Sequence, residues 1–380
     1  MKLTGITLLF LTAGILFLTC GNQDMPIEFK PEIPEEYYLG ADLSYVNEML
    51  DCGGVYRENG NEVDPYALFA GKGASLVRVR FWNNPDWTQY SDFGDVYLTI
   101  LRSKAQGMAV LLDYHLSDTW ADPAKQIIPK AWSEIDDMEI LGDSVYNFIS
   151  STLRVLGNAN LLPEFVQVGN ETNNEILQPG EYTDYMIDWE RNNFLFRKGL
   201  SAVKDVANEF GKEIGTMIHI AQPENAQWWF GEAKKNDFPD FDWIGISYYP
   251  KWSQIKMAGL SQAIKSLMET HNKKLMIVET AYPQSLDNAD PANNILGTDA
   301  LLAEYPATPT GQRNYIIDLT RIVLESGGQG VIYWEPAWIS TSCSTLWGQG
   351  SHWDNATFFD AANNNEVLPA FDFFKKENYE

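Results

Sequence analysis

The sequence predicts an α/β protein, a single-domain (β/α)8 barrel of the TIM type with long loops after its strands. Three observations predict it. Eight short apolar runs recur along the chain, each bounded by turn residues, as buried parallel strands require. Stretches long enough for a helix separate them. Nearly every run ends, at its C-terminal edge, in a polar or aromatic group, and in this fold that edge is the functional face.

Residues 1–36 precede the predicted barrel. Lys2 is followed by a largely apolar run over residues 3–18 and then by Thr19-Cys20-Gly21. That run has the length of a signal-peptide core and is too short for a membrane span. Cys20 directly after it resembles a bacterial lipoprotein site. The reading is therefore a signal peptide over 1–19, lipid on Cys20, and a tether over 20–36 with three prolines and no periodicity, with simple secretion as the competing reading. It places the protein across the inner membrane and anchored at the outer membrane of a bacterium, on the cell surface or in the periplasm. The fold is expected to fill residues 37–380.

The eight strands are expected at 38–42, 76–81, 109–114, 165–169, 216–220, 243–247, 275–279 and 330–334. Their ends carry Asp42, then Arg78 and Arg80 with Trp82, then Asp113 and His115, then Asn170 and Glu171. His219, Tyr248 with Tyr249, Glu279 and Trp334 complete the ring. Cys52 and Cys343 would follow strands one and eight, which are neighbours in a closed barrel. They are placed to pair in an oxidising compartment, and two separate thiols fit the sequence equally well.

Composition narrows the function. The formal charge is −25, which repels phosphate backbones and argues against nucleic acid as a partner. Four His and isolated cysteines give no zinc motif, and no P-loop, GxSxG or dinucleotide motif stands in a suitable context. No cofactor is expected for catalysis. Thirteen Trp, 18 Tyr and 19 Phe form a heavy aromatic load, and several Trp sit beside turn residues, as in Trp82-Asn83-Asn84-Pro85, Trp120-Ala121-Asp122-Pro123 and Trp347-Gly348. Flat apolar rings on loops suit stacking against sugars.

Two glutamates point to the chemistry. Glu171 follows the fourth run and Glu279 ends the seventh, each a costly place for an unpaired charge. Breaking a glycosidic bond needs a proton for the leaving oxygen and a partner for the oxocarbenium ion, and two carboxyls about 5 Å apart supply both with retention. Glu171 is expected to be protonated at rest, its pKa raised by burial and by its partner. Glu279 is expected to be ionised, held so by hydrogen bonds and by Arg78 or Arg80, which share a strand face. Glu335 is read as a structural acid, because alternation turns it away from Trp334. Glu175 is read as exposed.

At these residues the chain resembles the endo-β-1,4-galactanases of glycoside hydrolase family 53. The likeness runs from about Gly40 to Phe373. It is carried by Gly40-Ala41-Asp42-Leu43-Ser44, by Arg78-Val79-Arg80-Phe81-Trp82 and by His115-Leu116-Ser117-Asp118-Thr119-Trp120-Ala121-Asp122-Pro123. Val168-Gly169-Asn170-Glu171, Ser247-Tyr248-Tyr249-Pro250, Val278-Glu279-Thr280 and Tyr333-Trp334-Glu335-Pro336 continue it. The resemblance implies a retaining enzyme that cuts galactan side chains of pectin, with Glu171 as acid/base and Glu279 as nucleophile. It implies that Asn170 bonds the sugar 2-hydroxyl, that His115, Arg78 and Tyr248 orient substrate or nucleophile, and that Trp334 floors the site. Asp42, Arg80, Trp82, Asp118, Trp120, Tyr249 and Trp347 complete the expected substrate contacts. Glu171-Thr172-Asn173-Asn174 departs from the family, which usually has an apolar residue after the acid.

Some bacterial relatives bind calcium between the loops after strands seven and eight. By that likeness Asp287, Asp290, Asn293, Ser351 and Asp354 offer hard oxygen ligands for a structural Ca2+. Another β-glycanase of the same clan, such as a mannanase, and a non-catalytic glycan-binding lipoprotein are the competing readings. A monomer is expected.

Overall fold

The structure, a computed structural model, describes residues 33–180, 186–346 and 348–380. The expected signal segment, Cys20, most of the tether and Trp347 lie outside the described residues.

Eight parallel strands close into a barrel: β1 (Tyr38–Asp42), β2 (Leu76–Phe81), β3 (Ala109–Tyr114), β4 (Phe165–Val168), β5 (Gly215–Ala221), β6 (Trp243–Ser247), β7 (Lys274–Glu279) and β8 (Gly330–Tyr333). Closure comes from β1, which pairs with β2 on one side and β8 on the other. The expected strands are all present, with ends that differ by at most a residue.

Helices α1 (Pro65–Lys72), α2 (Phe93–Ala105), α3 (Met138–Asn158), α4 (Trp189–Phe210), α5 (Pro223–Lys235), α6 (Met257–His271) and α7 (Pro309–Glu325) fill the connections. Local chemistry starts them. Asp64, Asp92, Asp137 and Asp188 each accept a backbone N–H of the first turn, and Thr308 does so for α7. Pro65, Pro223 and Pro309 open helices at a position where no N–H is needed. After β8 a 3₁₀ segment, Pro369–Phe374, replaces the eighth helix. Its Phe371 and Phe374 pack on Phe69 of α1, with ring centroids at 4.9 and 5.7 Å.

The barrel interior is layered. The lower layer is apolar and includes Leu76, Leu111, Phe165, Met217, Trp243 and Met276. Gly245 makes room in it, because a Cβ there would stand 2.9 Å from Met217 Sδ. Two residues further along each strand, the period of two brings up a polar layer. Asp42 stands above Gly40, Arg78 above Leu76, Asp113 above Leu111, Gln167 above Phe165, His219 above Met217 and Ser247 above Gly245, all buried.

Strand β7 breaks the pattern. Met276 and Val278 both join the apolar interior, so alternation would turn Glu279 outward. The register shifts there: Ile246 pairs with Ile277 but Ser247 pairs with Glu279. One extra residue re-aims the glutamate into the polar layer, as a bulge does.

Two ties join the loops after β1 and β8. Cys52 and Cys343 form a disulfide with their Cα atoms 5.7 Å apart, which selects pairing over separate thiols. A four-stranded sheet adds Tyr56–Glu58 and Asn61–Val63 to Phe359–Asp360 and Glu366–Val367.

Candidate active site

One guanidinium organises the polar layer. Arg78 is buried, its Nη1 lying 3.0 Å from Asp42 Oδ2 and 2.9 Å from Glu279 Oε1. Its Nη2 donates to Asp113 Oδ2 and to Asn170 Oδ1, both at 2.7 Å. The planar fork of arginine suits such shared recognition. Arg80, the other expected partner of Glu279, goes elsewhere. It pairs with Glu335 at 3.2 Å and lies under the rings of Tyr45, Trp82 and Trp120, 4.2–4.8 Å from their centroids. Glu335 also accepts the Tyr45 N–H at 3.2 Å, the structural role that alternation gave it.

The second oxygen of Glu279 accepts from the Tyr249 hydroxyl at 3.3 Å. Tyr248, the expected orienter, is buried away from the cavity, and its backbone N–H donates to the Glu279 carbonyl at 2.8 Å. In the resemblance-based set Tyr249 therefore takes the contact expected of Tyr248. His115 holds Asp113, with Nε2 3.1 Å from Oδ2, while its Nδ1 accepts the Ala121 N–H at 3.2 Å. Burial lowers the His115 pKa, against the pull of Asp113.

Glu171 follows β4 with a left-handed backbone, φ 44°. Gly169 makes the turn at φ 86°, and a Cβ there would meet Thr172 Cγ2 at 2.5 Å. Leu116, Gln222 and Glu335, after β3, β5 and β8, share the positive φ. Such residues cost about 1–3 kcal/mol each and cluster where function imposes geometry. Ser247 donates to Glu171 Oε1 at 2.6 Å, and His219 Nε2 lies 2.8 Å from that hydroxyl.

The two glutamates line one cavity of about 1020 Å³. Burial and then the charge of Glu279 push Glu171 up to about 8, while the Ser247 hydrogen bond pulls it down. Burial also pushes Glu279 up, to about 7, because Asp113 and Asp42 offset the lowering by Arg78. Arg78 and the Tyr249 hydroxyl favour the ionised form of Glu279, as expected, while burial works against ionisation of both glutamates. Three carboxylates share one cation.

Among the expected substrate contacts, Trp120, Asn170, Tyr249 and Trp334 line this cavity. Asn170 donates to the Ala121 carbonyl at 2.8 Å. Asp42, Arg78, Arg80 and His115 are buried and do not line it. Trp82 is only 2% exposed, packed behind Trp120 with centroids 5.5 Å apart. Asp118 braces loops by accepting the N–H groups of Asn84 and Lys130 at 2.9 and 2.8 Å. Glu175 is half-buried rather than exposed, 3.6 Å from Arg191. Residues missed in the sequence also line the cavity: Asp122, Gln222, Asn225, Trp252, Trp338 and His352. Asp122 stands inside a recognised motif and Trp338 two residues beyond one, whereas Gln222 and Asn225 follow β5 with no local signal.

The expected calcium ligands converge only in part. Asp290 and Asp354 both accept from Ser340, but their oxygens also hold the N–H groups of Ser351, Ala292 and Ala289 and the Asn294 amide. The Ser351 hydroxyl donates to the Trp338 carbonyl, and Asn293 Oδ1 accepts from Asn288. Among the described residues no group of three or more His, Cys, Asp or Glu is placed to hold a metal.

Comparison with known proteins gives one consistent answer. The family model described as "Glycosyl hydrolase family 53" matches residues 38–374. An arabinogalactan endo-β-1,4-galactanase of Cellvibrio japonicus is 55% identical over 342 residues, 90% of this chain and 91% of its own length. Among solved structures, the family 53 catalytic domain of Ignisphaera aggregans superposes with a TM-score of 0.83 at 32% identity, covering 92% of this chain and 98% of that one. A fungal β-1,4-galactanase gives 0.76 at 29% identity, covering 90% and 99%.

A reaction that needs Glu279 ionised and Glu171 protonated runs best between about pH 7 and 8, limited by Glu279 on the acid side and Glu171 on the basic side. Arg78→Lys keeps one charge but loses the fork. The acid limb of kcat/KM should move to higher pH and kcat should fall by about 100-fold. An unchanged acid limb in the pH–rate profile would remove Arg78 from the account.

Proposed function

The chain belongs to glycosyl hydrolase family 53, and we propose on that footing that it cleaves internal β-1,4-galactosidic bonds of galactan, including the arabinogalactan side chains of pectin, with retention of configuration. The observation that carries the mechanism is the asymmetry of two buried carboxyls in one cavity. Glu279 is bonded to a cation and to Tyr249, and Glu171 is bonded to a neutral hydroxyl.

Glu279 attacks the anomeric carbon while Glu171 gives its proton to the leaving glycosidic oxygen. The leaving sugar departs with that proton and Glu279 is left bonded to the remaining sugar. Glu171, now ionised, takes a proton from water as the water oxygen displaces Glu279. Burial keeps the first proton on Glu171 near neutrality, and Arg78 keeps Glu279 the more acidic of the two. Trp120, Trp334 and Trp338 supply flat apolar faces for sugar rings, and Asn170 offers its amide edge. A purely glycan-binding protein has no need of this carboxyl pair.

Export and anchoring complete the reading. The signal 1–19 is removed, Cys20 carries lipid, and residues 20–36 tether a monomeric catalytic domain at the bacterial outer membrane, at its surface or in the periplasm. A structural Ca2+ would be carried by Asp290 and Asp354. Their carboxylates share Ser340, and burial, with Asp290 contributing, raises Asp354.

Product release from linear β-1,4-galactan tests the function. Wild type should give short galacto-oligosaccharides and Glu279→Ala should lose several orders of magnitude in kcat; release only from another β-glycan would overturn the substrate. Cys20→Ala should shift the protein from the membrane to the soluble fraction, and persistent anchoring would refute lipidation. Chelator should lower the melting temperature if calcium stiffens the Asp290–Asp354 loops, whereas an unmoved melting curve would discard the ion.

A further inference from the structure

Beyond the two glutamates, three strands contribute a chain of hydrogen bonds that ends on Glu171. His219 of β5 is buried, and burial, with Arg78 nearby, pushes its pKa well down, so the ring is neutral. Its tautomer follows from its neighbours. The Glu171 backbone N–H lies 3.3 Å from Nδ1 and Gln167 Nε2 lies 3.1 Å from it. Gln167 cannot be turned over, because the same nitrogen donates to Asp113 Oδ1 at 2.6 Å. Asn170 Oδ1, an acceptor, is 3.0 Å from Nδ1 as well, but the Glu171 N–H is fixed by the backbone and points at Nδ1, so a ring proton there would meet another proton. Two donors thus face Nδ1, which accepts, and the ring proton sits on Nε2.

From there the direction is fixed. His219 Nε2–H donates to Ser247 Oγ at 2.8 Å, so the Ser247 hydroxyl is free to donate onward to Glu171 Oε1 at 2.6 Å. An oxygen that receives this proton is poorly placed to bear one of its own. Among the described residues Oε2 has no hydrogen-bond partner, and Glu171 lines the cavity. We propose that Ser247, aimed by His219, is a positioning residue that confines the exchangeable proton of Glu171 to Oε2, and that it carries the carboxyl through both halves of the reaction.

The proton balance is simple. In the first half-reaction the Oε2–H bond breaks as the leaving oxygen gains that proton and keeps the electron pair of its broken bond to carbon. In the second, Oε2 takes a proton from the attacking water. The Ser247 and His219 protons do not transfer. The Ser247 bond to Oε1 strengthens when Glu171 is anionic, which favours giving the proton away.

Other groups also act on Glu171: Glu279 from β7, Asp122 from the loop after β3, Arg78 from β2 and Tyr249 from the loop after β6. Ser247 is the contact that can be removed with no change of charge. This inference rests on the acid/base role of Glu171, so its test uses whichever β-glycan the wild type cleaves and does not depend on that glycan being galactan.

The experiment is the pH dependence of kcat and kcat/KM for Ser247→Ala, His219→Gln and His219→Phe. Loss of a hydrogen bond to the anion raises the Glu171 pKa, so in Ser247→Ala the basic limb should move up by roughly one pH unit, with kcat down about 10-fold and KM unchanged. His219→Gln keeps an N–H donor and should stay near wild type, while His219→Phe should reproduce the shift. Should Ser247→Ala melt below assay temperature, Ser247→Cys, a weak donor of similar size, should move the limb the same way. Basic limbs that superimpose on wild type, with kcat within about twofold, would overturn the proposal whatever the melting temperatures do. If no glycan is cleaved by wild type, it is the reading of Glu171 that fails.

Discussion

The architecture of the upper barrel depends on one ion cluster, the Arg78 guanidinium shared by Asp42, Asp113 and Glu279. A fully buried cation is tolerable only when paired and hydrogen-bonded. Here it is overpaired: three carboxylates meet one positive charge, and Glu279 is raised first by burial, with Asp113 and Asp42 offsetting part of the lowering by Arg78. His115 relieves part of the strain by donating to Asp113, and Gln167 by donating to the other oxygen of the same side chain. Ser44 serves Asp42 in the same way, with its hydroxyl 2.5 Å from Oδ1. The polar layer is therefore a single network held by Arg78, whose removal would leave three buried carboxylates without their cation.

Arg78 and Arg80 share a strand face and do different work. Arg78 reaches across the barrel to Glu279. Arg80, one layer higher, fills a box of Tyr45, Trp82 and Trp120 and is neutralised by Glu335. The first sets the charge state of the chemistry, and the second stiffens an aromatic wall of the cavity, where Tyr45 stacks on Trp338 at 3.9 Å. Period-two alternation puts both arginines inside but does not say which layer each will serve.

The fold was almost wholly legible, because buried parallel strands announce themselves as apolar runs and the active face as their polar ends. The site was legible where a residue's role follows from its place on a strand. Glu171 and Glu279 were found by position, although strict alternation would have turned Glu279 outward, and only the register shift beside Val278 brings it in. The rest was hidden for three physical reasons. Tyr248 and Tyr249 are adjacent, and which of them faces Glu279 is decided by how the chain leaves β6. Trp82 and Trp120 both sit beside turn residues, but one packs behind the other, and burial of one ring by another leaves no trace in composition. His219 and Ser247 were seen as parts of strand ends, yet their alignment on Glu171 is a matter of three-dimensional register.

The Cys52–Cys343 bond spans 291 residues of sequence, from the loop after the first strand to the loop after the last. All of β2 through β8, and both glutamates, lie inside that covalent ring. A single peptide bond cut anywhere within it leaves the two fragments joined, so a nick by a protease cannot by itself let half the barrel diffuse away. The latch gives a chain with many long loops tolerance to damage at any one of them, for as long as its surroundings stay oxidising.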